Sequence, residues 1–318
     1  MILCFDGGGS SSRMLLVDDS YNVLGEAHAT SVNQIHTPLP EIEKNLSMCL
    51  DSTLNGQKLT KDDEVVISMA GPVHILESML SSYGCSICCI NESQAALWAN
   101  MMHPNCYVAS SGTGSFVSYI NIDYTKSITV GGLGYLLGDE GSGFWIGQRA
   151  LRAVGHDIDG TGAPTDLTLR ANEFFGIITK SDLIMKIYSA ASCASHIAAF
   201  VPEVAVSARL GDDIALSIFR EAGEQMSHLL ISLINKTHIH NSECLLSGGV
   251  WKAHKSMYDR FSEKVYQHAP EITIKKPYFE PVLAGIVQKL TMQNPTWTIE
   301  ERIQFLTDRF PGYVINMD

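Results

Sequence analysis

The first nineteen residues, from Met1 to Asp19, constrain the fold of this chain more than any other stretch. Two short apolar runs, Met1 to Phe5 and Met14 to Val17, flank a polar turn of three glycines followed by three serines. Short runs with β-branched or aromatic members on either side of such a turn are typical of a β-hairpin. The sequence therefore predicts that the chain opens with two antiparallel strands, and a third strand over Val23 to Ala29 completes a meander.

The glycine turn is suited to binding an anion, because glycine has no Cβ and lets backbone N–H groups approach a phosphate. Asp6, at the end of the first predicted strand, is placed where a carboxylate would hold a magnesium ion through water. An ordinary hairpin with a glycine-rich turn explains these residues equally well when they are taken alone. A P-loop and a dinucleotide fingerprint are excluded, since no helix pattern opens after the glycines.

Composition narrows the class of protein. With 318 residues, 45% of them hydrophobic, the chain is globular and forms one large or two ordinary domains. A net charge of -12 without a Lys/Arg cluster argues against nucleic-acid and anionic-membrane partners. No apolar run reaches the roughly 18 residues of a membrane span, and no secretory signal pattern opens the sequence, so we expect a cytoplasmic protein.

The eight cysteines are scattered through apolar segments, as reduced thiols are in a reducing compartment. Only Cys85, Cys88 and Cys89 lie close together, and a metal site there would need further ligands from elsewhere in the chain.

A second glycine and hydroxyl turn, Ser110 to Ser115, follows about a hundred residues after the first. It lies between predicted strands at Cys106 to Ala109 and Phe116 to Ile122, so it repeats the strand, turn and strand order of the N-terminus. This repetition suggests a duplicated unit whose two turns face one cleft and grip one polyphosphate. It predicts a boundary near residue 107, with lobes at 1–106 and 107–318 and a helical insertion around 144–235.

Further candidate positions lie at the ends of predicted strands. The buried strand Glu64 to Met69 ends in small residues, and ligands of open α/β sheets bind at that edge. Glu92 follows the strand Cys85 to Ile90, where a carboxylate beside a helix N-terminus is, on sequence alone, best interpreted as a helix cap. Apolar spacing predicts helices over 41–54, 94–102, 144–154, 167–175, 181–190, 195–208, 212–235, 252–268, 281–290 and 298–308.

Two glycine-rich stretches in the second half are candidate loops for function. Gly131 to Gly143 carries two acids that can accept hydrogen bonds from substrate hydroxyls or hold the waters of a metal. A structural loop capped by Asp139 or Ser142 is the alternative. In Ser247 to Trp251, a flat base can lie on the two glycines, and we expect Trp251 to pack rather than to stack on a ligand.

Several motifs in this order resemble the BadF/BadG-type ATPase family, and within it the N-acetylglucosamine kinases. The first is Asp-Gly-Gly-Gly-Ser-x-x-Arg at Asp6 to Arg13, which looks like the first phosphate motif of the actin, sugar-kinase and heat-shock ATPase superfamily. The others are Gly138 to Ser142, Gly162 to Thr165, Ala208 to Ala215, Ser247 to Trp251 and Pro281 to Gly285.

The resemblance implies an α/β protein of two ribonuclease-H-like lobes, an actin-like ATPase fold, with ATP, Mg²⁺ and an amino sugar bound in the cleft between them. The positions that correspond to phosphate and nucleotide contacts are Asp6, Gly7, Gly8, Gly9, Ser10, Ser111, Gly112, Thr113, Gly114, Ser115, Gly248 and Gly249, with Asp6 also at the metal. The positions that correspond to sugar contacts are Asn33, Ser68, Gly71, Gly132 and Asp139.

The resemblance also implies a catalytic base, and here the sequence departs from the family pattern. Glu92 stands where the family has an Asp that takes the proton from the sugar 6-hydroxyl, and Asp139 is the substitute candidate. Phe116 replaces a polar residue that helps to bind the N-acetyl sugar in animal members. We therefore expect an ATP-dependent amino-sugar kinase that forms a homodimer.

Two other functions and several sugars stay open at this point. An activator ATPase of the BadF/BadG branch would need cysteine ligands for an iron–sulfur cluster, and a sugar-sensing protein of the same fold would bind without turnover. N-acetylglucosamine, glucosamine and N-acetylmuramic acid are all compatible with the motifs.

Overall fold

The computed structural model describes residues 1–35, 37–124, 126–190 and 193–317, and the chain divides into two compact units. The first unit comprises Met1–Pro104, Ile120–Thr125 and Lys276–Asn316, and the second comprises Asn105–Tyr119, Lys126–Lys275 and Met317–Asp318. The change of unit after Pro104 lies close to the division expected near residue 107. The expected second lobe, 107–318, differs from the structure at its end, because the segment Lys276–Asn316 belongs to the first unit.

The strands and helices follow the predicted order with shifted ends. The strands are β1 (Ile2–Gly7), β2 (Ser11–Val17), β3 (Val23–Thr30), β4 (Glu64–Met69), β5 (Ser86–Ile90), β6 (Cys106–Ser111), β7 (Ser115–Ile120), β8 (Ser127–Gly131), β9 (Glu243–Ser247) and β10 (Thr273–Lys275). The helices are α1 (Leu39–Leu54), α2 (Val73–Leu80), α3 (Glu92–Ala99), α4 (Gly143–Ile158), α5 (Leu167–Phe175), α6 (Lys180–Tyr188), α7 (Cys193–Ala198), α8 (Val201–Arg209), α9 (Asp213–Thr237), α10 (Lys255–His268), α11 (Ala284–Gln293) and α12 (Ile299–Arg309).

Each unit is built on a five-stranded sheet, and the two sheets have the same topology. The order is β3-β2-β1-β4-β5 in the first unit and β8-β7-β6-β9-β10, read in the corresponding direction, in the second. In the first sheet β1, β2 and β3 form the predicted antiparallel meander, while β4 and β5 join it in parallel. The duplication inferred from the two glycine turns is therefore present in the strand order.

The first sheet buries both of its faces, because the central strand β1 is apolar and buried from Ile2 to Phe5 and β4 is apolar and buried from Val65 to Ile67. Leu3 and Phe5 lie in a core cluster with residues of α1 and α2, including Ile42. Ile2 and Cys4, on the other face, lie in a cluster with residues of α11 and α12. The C-terminal helices thus cover the second face of the sheet, which explains why the chain returns to the first unit. Helix α12 packs on this face through Leu306.

The second unit packs seven helices, α4 to α10, around its sheet. The long helix α9 approaches α10 so closely that a Cβ on Gly223 would lie 2.2 Å from the Met257 carbonyl oxygen. The prediction of a single helix over 195–208 is wrong. The chain forms α7 and α8 instead, with Phe200 and Pro202 at the start of the second.

Two elements have no counterpart among the expected ones. Helix α2 is only eight residues long and follows a glycine and a proline directly, and β8 is short and mostly exposed. Over the described residues, no helix combines the length and apolarity that crossing a membrane demands.

Candidate functional site

In the first unit, polar side chains form one row across the sheet. Asp6 of β1 is directly opposite Arg13 of β2 and is in register with Ser68 of β4. Paired residues of neighbouring strands point to the same face of a sheet. The row therefore places a carboxyl, a guanidinium and a hydroxyl side by side near the carboxyl ends of β1 and β4.

The turn after Asp6 is tightly packed, which explains its glycines. A Cβ on Gly7 would lie 2.7 Å from both Phe5 and Val32 side-chain carbons, and one on Gly71 would lie 2.2 Å from the Val32 carbonyl oxygen. The Gly8 N–H donates to the Ser11 carbonyl at 3.1 Å and closes the turn. The structure thus brings the predicted phosphate turn and the predicted sugar residue Gly71 to one loop cluster.

Asn33 lies in the same loop cluster but performs the turn-forming role that the sequence offered as its alternative. Its Oδ1 accepts a hydrogen bond from the Ile35 N–H at 2.9 Å, and its own N–H donates to Ser31 Oγ at 3.2 Å. The side-chain amide nitrogen keeps its donors for other contacts.

Glu92 is the first residue of α3, and the interpretation of its carboxylate as the helix cap is wrong. Asn91 is the N-cap, and its side chain accepts from the Gln94 N–H while the Gln94 side chain accepts from the Asn91 N–H. This reciprocal capping box satisfies the helix start without Glu92. The Glu92 carboxyl is therefore available for chemistry.

Asp6 and Glu92 both have raised pKa values. Burial raises the pKa of Asp6 to about 6, assisted by the negative charge of Glu280 and opposed by Ser68 and Arg13. Burial, assisted by the charge of Asp6, raises the pKa of Glu92 to about 7. A carboxyl whose pKa is near neutrality is suited to general-base catalysis, since about half of it is ionised at neutral pH and the ionised form is a stronger base than an ordinary carboxylate.

Ser68 is almost fully buried, with 2% of its surface exposed. Its hydroxyl lies near Asp6 and lowers the pKa of that carboxyl, yet no hydrogen-bond partner of good geometry is found for Ser68 Oγ within the described ranges. Buried hydroxyls are normally paired. The site therefore has a polar group positioned to bind something else.

Arg13 has partners that the sequence did not reveal. Its Nη1 donates to Glu280 Oε2 at 2.9 Å, its Nε lies 3.6 Å from Glu26 Oε1, and its guanidinium lies 5.0 Å from the centre of the Tyr313 ring. Glu280 is more than 260 positions away along the chain, and no local pattern connects it to the hairpin. Arg13 thus joins the hairpin to the C-terminal part of the first unit.

In the second unit, the turn between β6 and β7 is held by hydrogen bonds to the loop before α4. Ser111 Oγ donates to the Gly141 carbonyl at 2.8 Å, and Ser115 Oγ donates to the Glu140 carbonyl at 2.8 Å. The Gly143 N–H at the start of α4 donates to the Gly112 carbonyl at 2.8 Å. The predicted phosphate turn and the predicted functional loop are therefore one hydrogen-bonded structure.

Asp139 belongs to this structure. It is buried, it adopts a φ of 63°, and its Oδ1 accepts from the Ser115 N–H at 3.2 Å. A Cβ on Gly114 would lie 2.9 Å from its carboxylate, so only glycine fits there without a shift. The Asp139 carboxylate thus fixes the course of the turn, which is the structural alternative considered from the sequence.

The second glycine turn of this unit packs on the first. Gly248 has a φ of 96°, and a Cβ there would lie 2.3 Å from the Ser111 carbonyl oxygen, whereas a Cβ on Gly249 would meet no atom within 4 Å. The open space over Gly249 is compatible with a flat base. Trp251 is buried, donates from Nε1 to the Ala109 carbonyl at 3.0 Å, and packs as predicted.

The other predicted sugar residue of this unit, Gly132, is exposed and has a φ of 69°. Its N–H donates to the Ser115 carbonyl at 2.9 Å, and Phe116 lies beside it, 3.4 Å from the position of an added Cβ. An aromatic ring therefore lies next to the phosphate turn where animal relatives were expected to have a polar side chain.

The closely spaced cysteines do not form a metal site. Cys88 and Cys89 are neighbours on β5, so their side chains point to opposite faces, and Cys89 Sγ donates to Glu77 Oε1 at 3.3 Å. Across the part of the chain that the structure describes, no group of three or more His, Cys, Asp or Glu side chains has the arrangement of a metal site.

Comparison with known families decides the relationship. The model of the BadF/BadG/BcrA/BcrD ATPase family matches residues 4–284 of the 318-residue chain. The chain belongs to this family. Membership confirms the resemblance inferred from the motifs and assigns ATP as the nucleotide.

Two sugar kinases are similar to this chain in sequence. An N-acetylmuramic acid/N-acetylglucosamine kinase from Clostridium acetobutylicum is 27% identical over 284 residues, which is 86% of this chain and 92% of that protein. An N-acetyl-D-glucosamine kinase from Dictyostelium discoideum is 29% identical over 168 residues, 52% of this chain and 53% of that protein.

The fold is shared with a solved structure from Porphyromonas gingivalis, a candidate N-acetylglucosamine kinase. The two chains superpose with a TM-score of 0.70 at 20% sequence identity, over 93% of this chain and 100% of the other. The expected α/β fold of the actin-like ATPase class, here with two five-stranded sheets, is thereby confirmed.

Proposed function

We propose that this protein is an ATP-dependent kinase that phosphorylates the 6-hydroxyl of an amino sugar, with N-acetylglucosamine as the best-supported substrate. The observation that carries the proposal is the state of Glu92, a half-buried carboxyl that is not used as a cap and whose pKa is raised to about 7. Both named relatives act on N-acetylglucosamine, which supports the choice of sugar.

Glu92 is the general base of the proposed reaction. Its carboxylate accepts the proton of the sugar hydroxyl as that oxygen attacks the γ-phosphate of ATP. The helix N-terminus stabilises the ionised form, while burial and the charge of Asp6 oppose it, and the balance leaves a base of near-neutral pKa. One more methylene than the Asp of the family extends the reach of this base.

The two glycine turns and Asp6 bind the phosphates and the metal. The candidate phosphate contacts are the turn Gly7 to Ser10 in the first unit and the turn Ser111 to Ser115 in the second, and the candidate adenosine contact is the Gly248 and Gly249 turn. Asp6 fits a magnesium ion, because it is a half-buried carboxyl beside the buried Ser68 hydroxyl and offers the oxygen donor that Mg²⁺ prefers. Magnesium, when bound, neutralises phosphate charge.

Each unit has its own group of predicted sugar residues. In the first unit Asn33 and Gly71 lie in the loop cluster and Ser68 lies on β4, and in the second unit Gly132 and Asp139 lie beside the phosphate turn. The Asn33 side-chain nitrogen and the Ser68 hydroxyl are suited to sugar hydroxyls, since both can donate hydrogen bonds. In the second unit Asp139 acts by holding the turn in place.

A coupled assay of ADP formation with a panel of amino sugars tests the function. We expect ADP production that depends on N-acetylglucosamine and on Mg²⁺, and that stops when EDTA is added. Saturable sugar binding without turnover would instead indicate a sensor, and ADP formation that no sugar stimulates would favour an activator ATPase. The expected homodimer and cytoplasmic location stay predictions, the first of which light scattering would test.

A further inference from the structure

Three consecutive residues of the C-terminal part, Tyr278, Phe279 and Glu280, contact two separate parts of the first unit. We refer to Tyr278 to Glu280 as the strap. Phe279 is almost fully buried, and the Glu280 N–H donates to the Tyr313 carbonyl at 3.0 Å, so the strap has a fixed place in the unit.

The first contact is with the end of α3. Asn100, the C-cap of this helix, is 6% exposed, and its Oδ1 accepts from the Tyr278 N–H at 2.5 Å and from the Phe279 N–H at 3.0 Å. Its Nδ2 donates to the Ala96 carbonyl at 2.8 Å and to the Phe279 carbonyl at 3.2 Å. One buried side chain thus joins the helix to the strap through four hydrogen bonds.

The second contact is with the hairpin. Glu280 accepts from Arg13 Nη1 at 2.9 Å, and Arg13 is the direct cross-strand neighbour of Asp6. Arg13 is half-buried and also lies over the Tyr313 ring, so its guanidinium has little freedom to move. The strap therefore contacts β2, which is paired with the strand that carries Asp6, as well as the helix that begins with Glu92.

We propose that the strap sets the position of Glu92 relative to Asp6, which makes Asn100 and Glu280 positioning residues for the reaction. This inference rests on the proposed function, in which both carboxyls act. Helix α3 has eight residues and is about 12 Å long. A short helix moves as a rigid body, so a shift at Asn100 is carried to Glu92 at its other end. A misplacement of about 1 Å can lower a rate about 100-fold.

Two variants and a matched control test the proposal. Asn100→Ala removes all four hydrogen bonds of that side chain, and Glu280→Gln keeps the shape of the strap while weakening its pairing with Arg13. Asn294→Ala is the control, because Asn294 is the C-cap of α11 and its Nδ2 donates to the carbonyl four residues earlier, as that of Asn100 does. It makes no contact with the strap through its side chain.

We expect Asn100→Ala to lower kcat at least tenfold and Glu280→Gln to lower it about threefold, with the KM for sugar and for ATP changed less than twofold. Asn294→Ala should lower Tm less than Asn100→Ala, because its side chain loses one hydrogen bond rather than four, and its kcat should stay within twofold of the wild type. A loss of kcat in the control equal to that in Asn100→Ala would overturn the proposal, and so would full kcat in both strap variants.

A measurement without turnover separates this proposal from the proposed function. Hydrogen exchange of the α3 amides should accelerate in Asn100→Ala and stay unchanged in Asn294→Ala. If the wild type turns over no sugar but α3 loosens only in Asn100→Ala, the kinase assignment fails and the positional role of the strap stands. If α3 exchanges at the wild-type rate in Asn100→Ala, the strap does not position it.

Discussion

Replacing Glu92 by glutamine tests the base and its environment together, because the variant keeps the size of the side chain and removes its charge. A positioned general base contributes about 100-fold to 10,000-fold to a rate. We therefore expect Glu92→Gln to lower kcat by at least 100-fold, with small changes in the KM for sugar and ATP. Single-turnover assays with saturating substrates would measure the effect on the chemical step.

The pH profile of the wild type provides the second part of this test. With a pKa of about 7, close to a tenth of Glu92 is ionised at pH 6 and close to nine tenths at pH 8. The rate should therefore rise about tenfold between these values and then level off. An unperturbed glutamate would be ionised throughout this range and would give a flat profile, as should the residual activity of Glu92→Gln.

The pH dependence of protein stability provides an independent test, and its direction follows from the raised pKa of Glu92. The folded protein binds the Glu92 proton more tightly than the unfolded chain, because burial and Asp6 raise the pKa from 4.5 to about 7. The free energy of unfolding therefore decreases as the pH rises from the pKa of the unfolded chain, 4.5, through the pKa of the folded protein, about 7, by up to roughly 3 kcal/mol. At pH 8 the Tm of Glu92→Gln should be higher than that of the wild type, and at pH 4 this difference should disappear.

Two results would refute this reasoning. Wild-type activity in Glu92→Gln would show that another group takes the proton. An equal Tm for the two proteins at pH 8 would show that the carboxyl is not destabilised by its surroundings, and the near-neutral pKa on which the proposed function depends would then be wrong.

Three further predictions concern glycines and cysteines. Gly248→Ala should lower the free energy of unfolding, because its Cβ would lie 2.3 Å from the Ser111 carbonyl oxygen, while Gly249→Ala, with no protein atom within 4 Å of the added carbon, should leave stability unchanged and raise the KM for ATP, because the added carbon enters the space proposed for the base. Equal effects in the two variants would contradict this account of the turn. Gly223→Ala should lower the free energy of unfolding by about 1–3 kcal/mol, since the added carbon would lie 2.2 Å from the Met257 carbonyl oxygen, and urea unfolding would measure it. Protein purified without oxygen should contain neither iron nor sulfide, and a stoichiometric amount of either would favour the activator ATPase.

Turn residues, short apolar runs and capping residues predict those parts of the fold that depend on neighbouring residues alone. The opening hairpin and the two glycine turns were predictable, because turn residues and short apolar runs specify them within about twenty positions. The capping box at Asn91 and Gln94 was also readable, since Asn is a preferred N-cap and a Gln three residues later completes the box. The neighbouring Glu92 also has a type of side chain that is common in the first turn of a helix, so the sequence offers two candidate caps.

Contacts between distant segments could not be predicted in this way. The pairing of Arg13 with Glu280 and the bonds of Asn100 to Phe279 join segments more than 170 positions apart. Such contacts depend on which elements cover the first sheet, and apolar periodicity shows that a helix has a buried face without showing where that face packs. For the same reason the sequence offered Asp139 both as a functional acid and as a structural residue of its loop, without showing that it accepts from the Ser115 N–H, 24 positions away.

The composition of the first unit from separate parts of the chain has a consequence for synthesis on the ribosome. Ile2 and Cys4 are buried against segments that include Val282 and Ile286, which are translated about 280 residues later. During that interval one face of the first sheet has no partner from its own chain and exposes apolar surface to chaperones or to other nascent chains. Truncation before the last 40 residues should therefore yield insoluble protein, even if every residue of both glycine turns is retained.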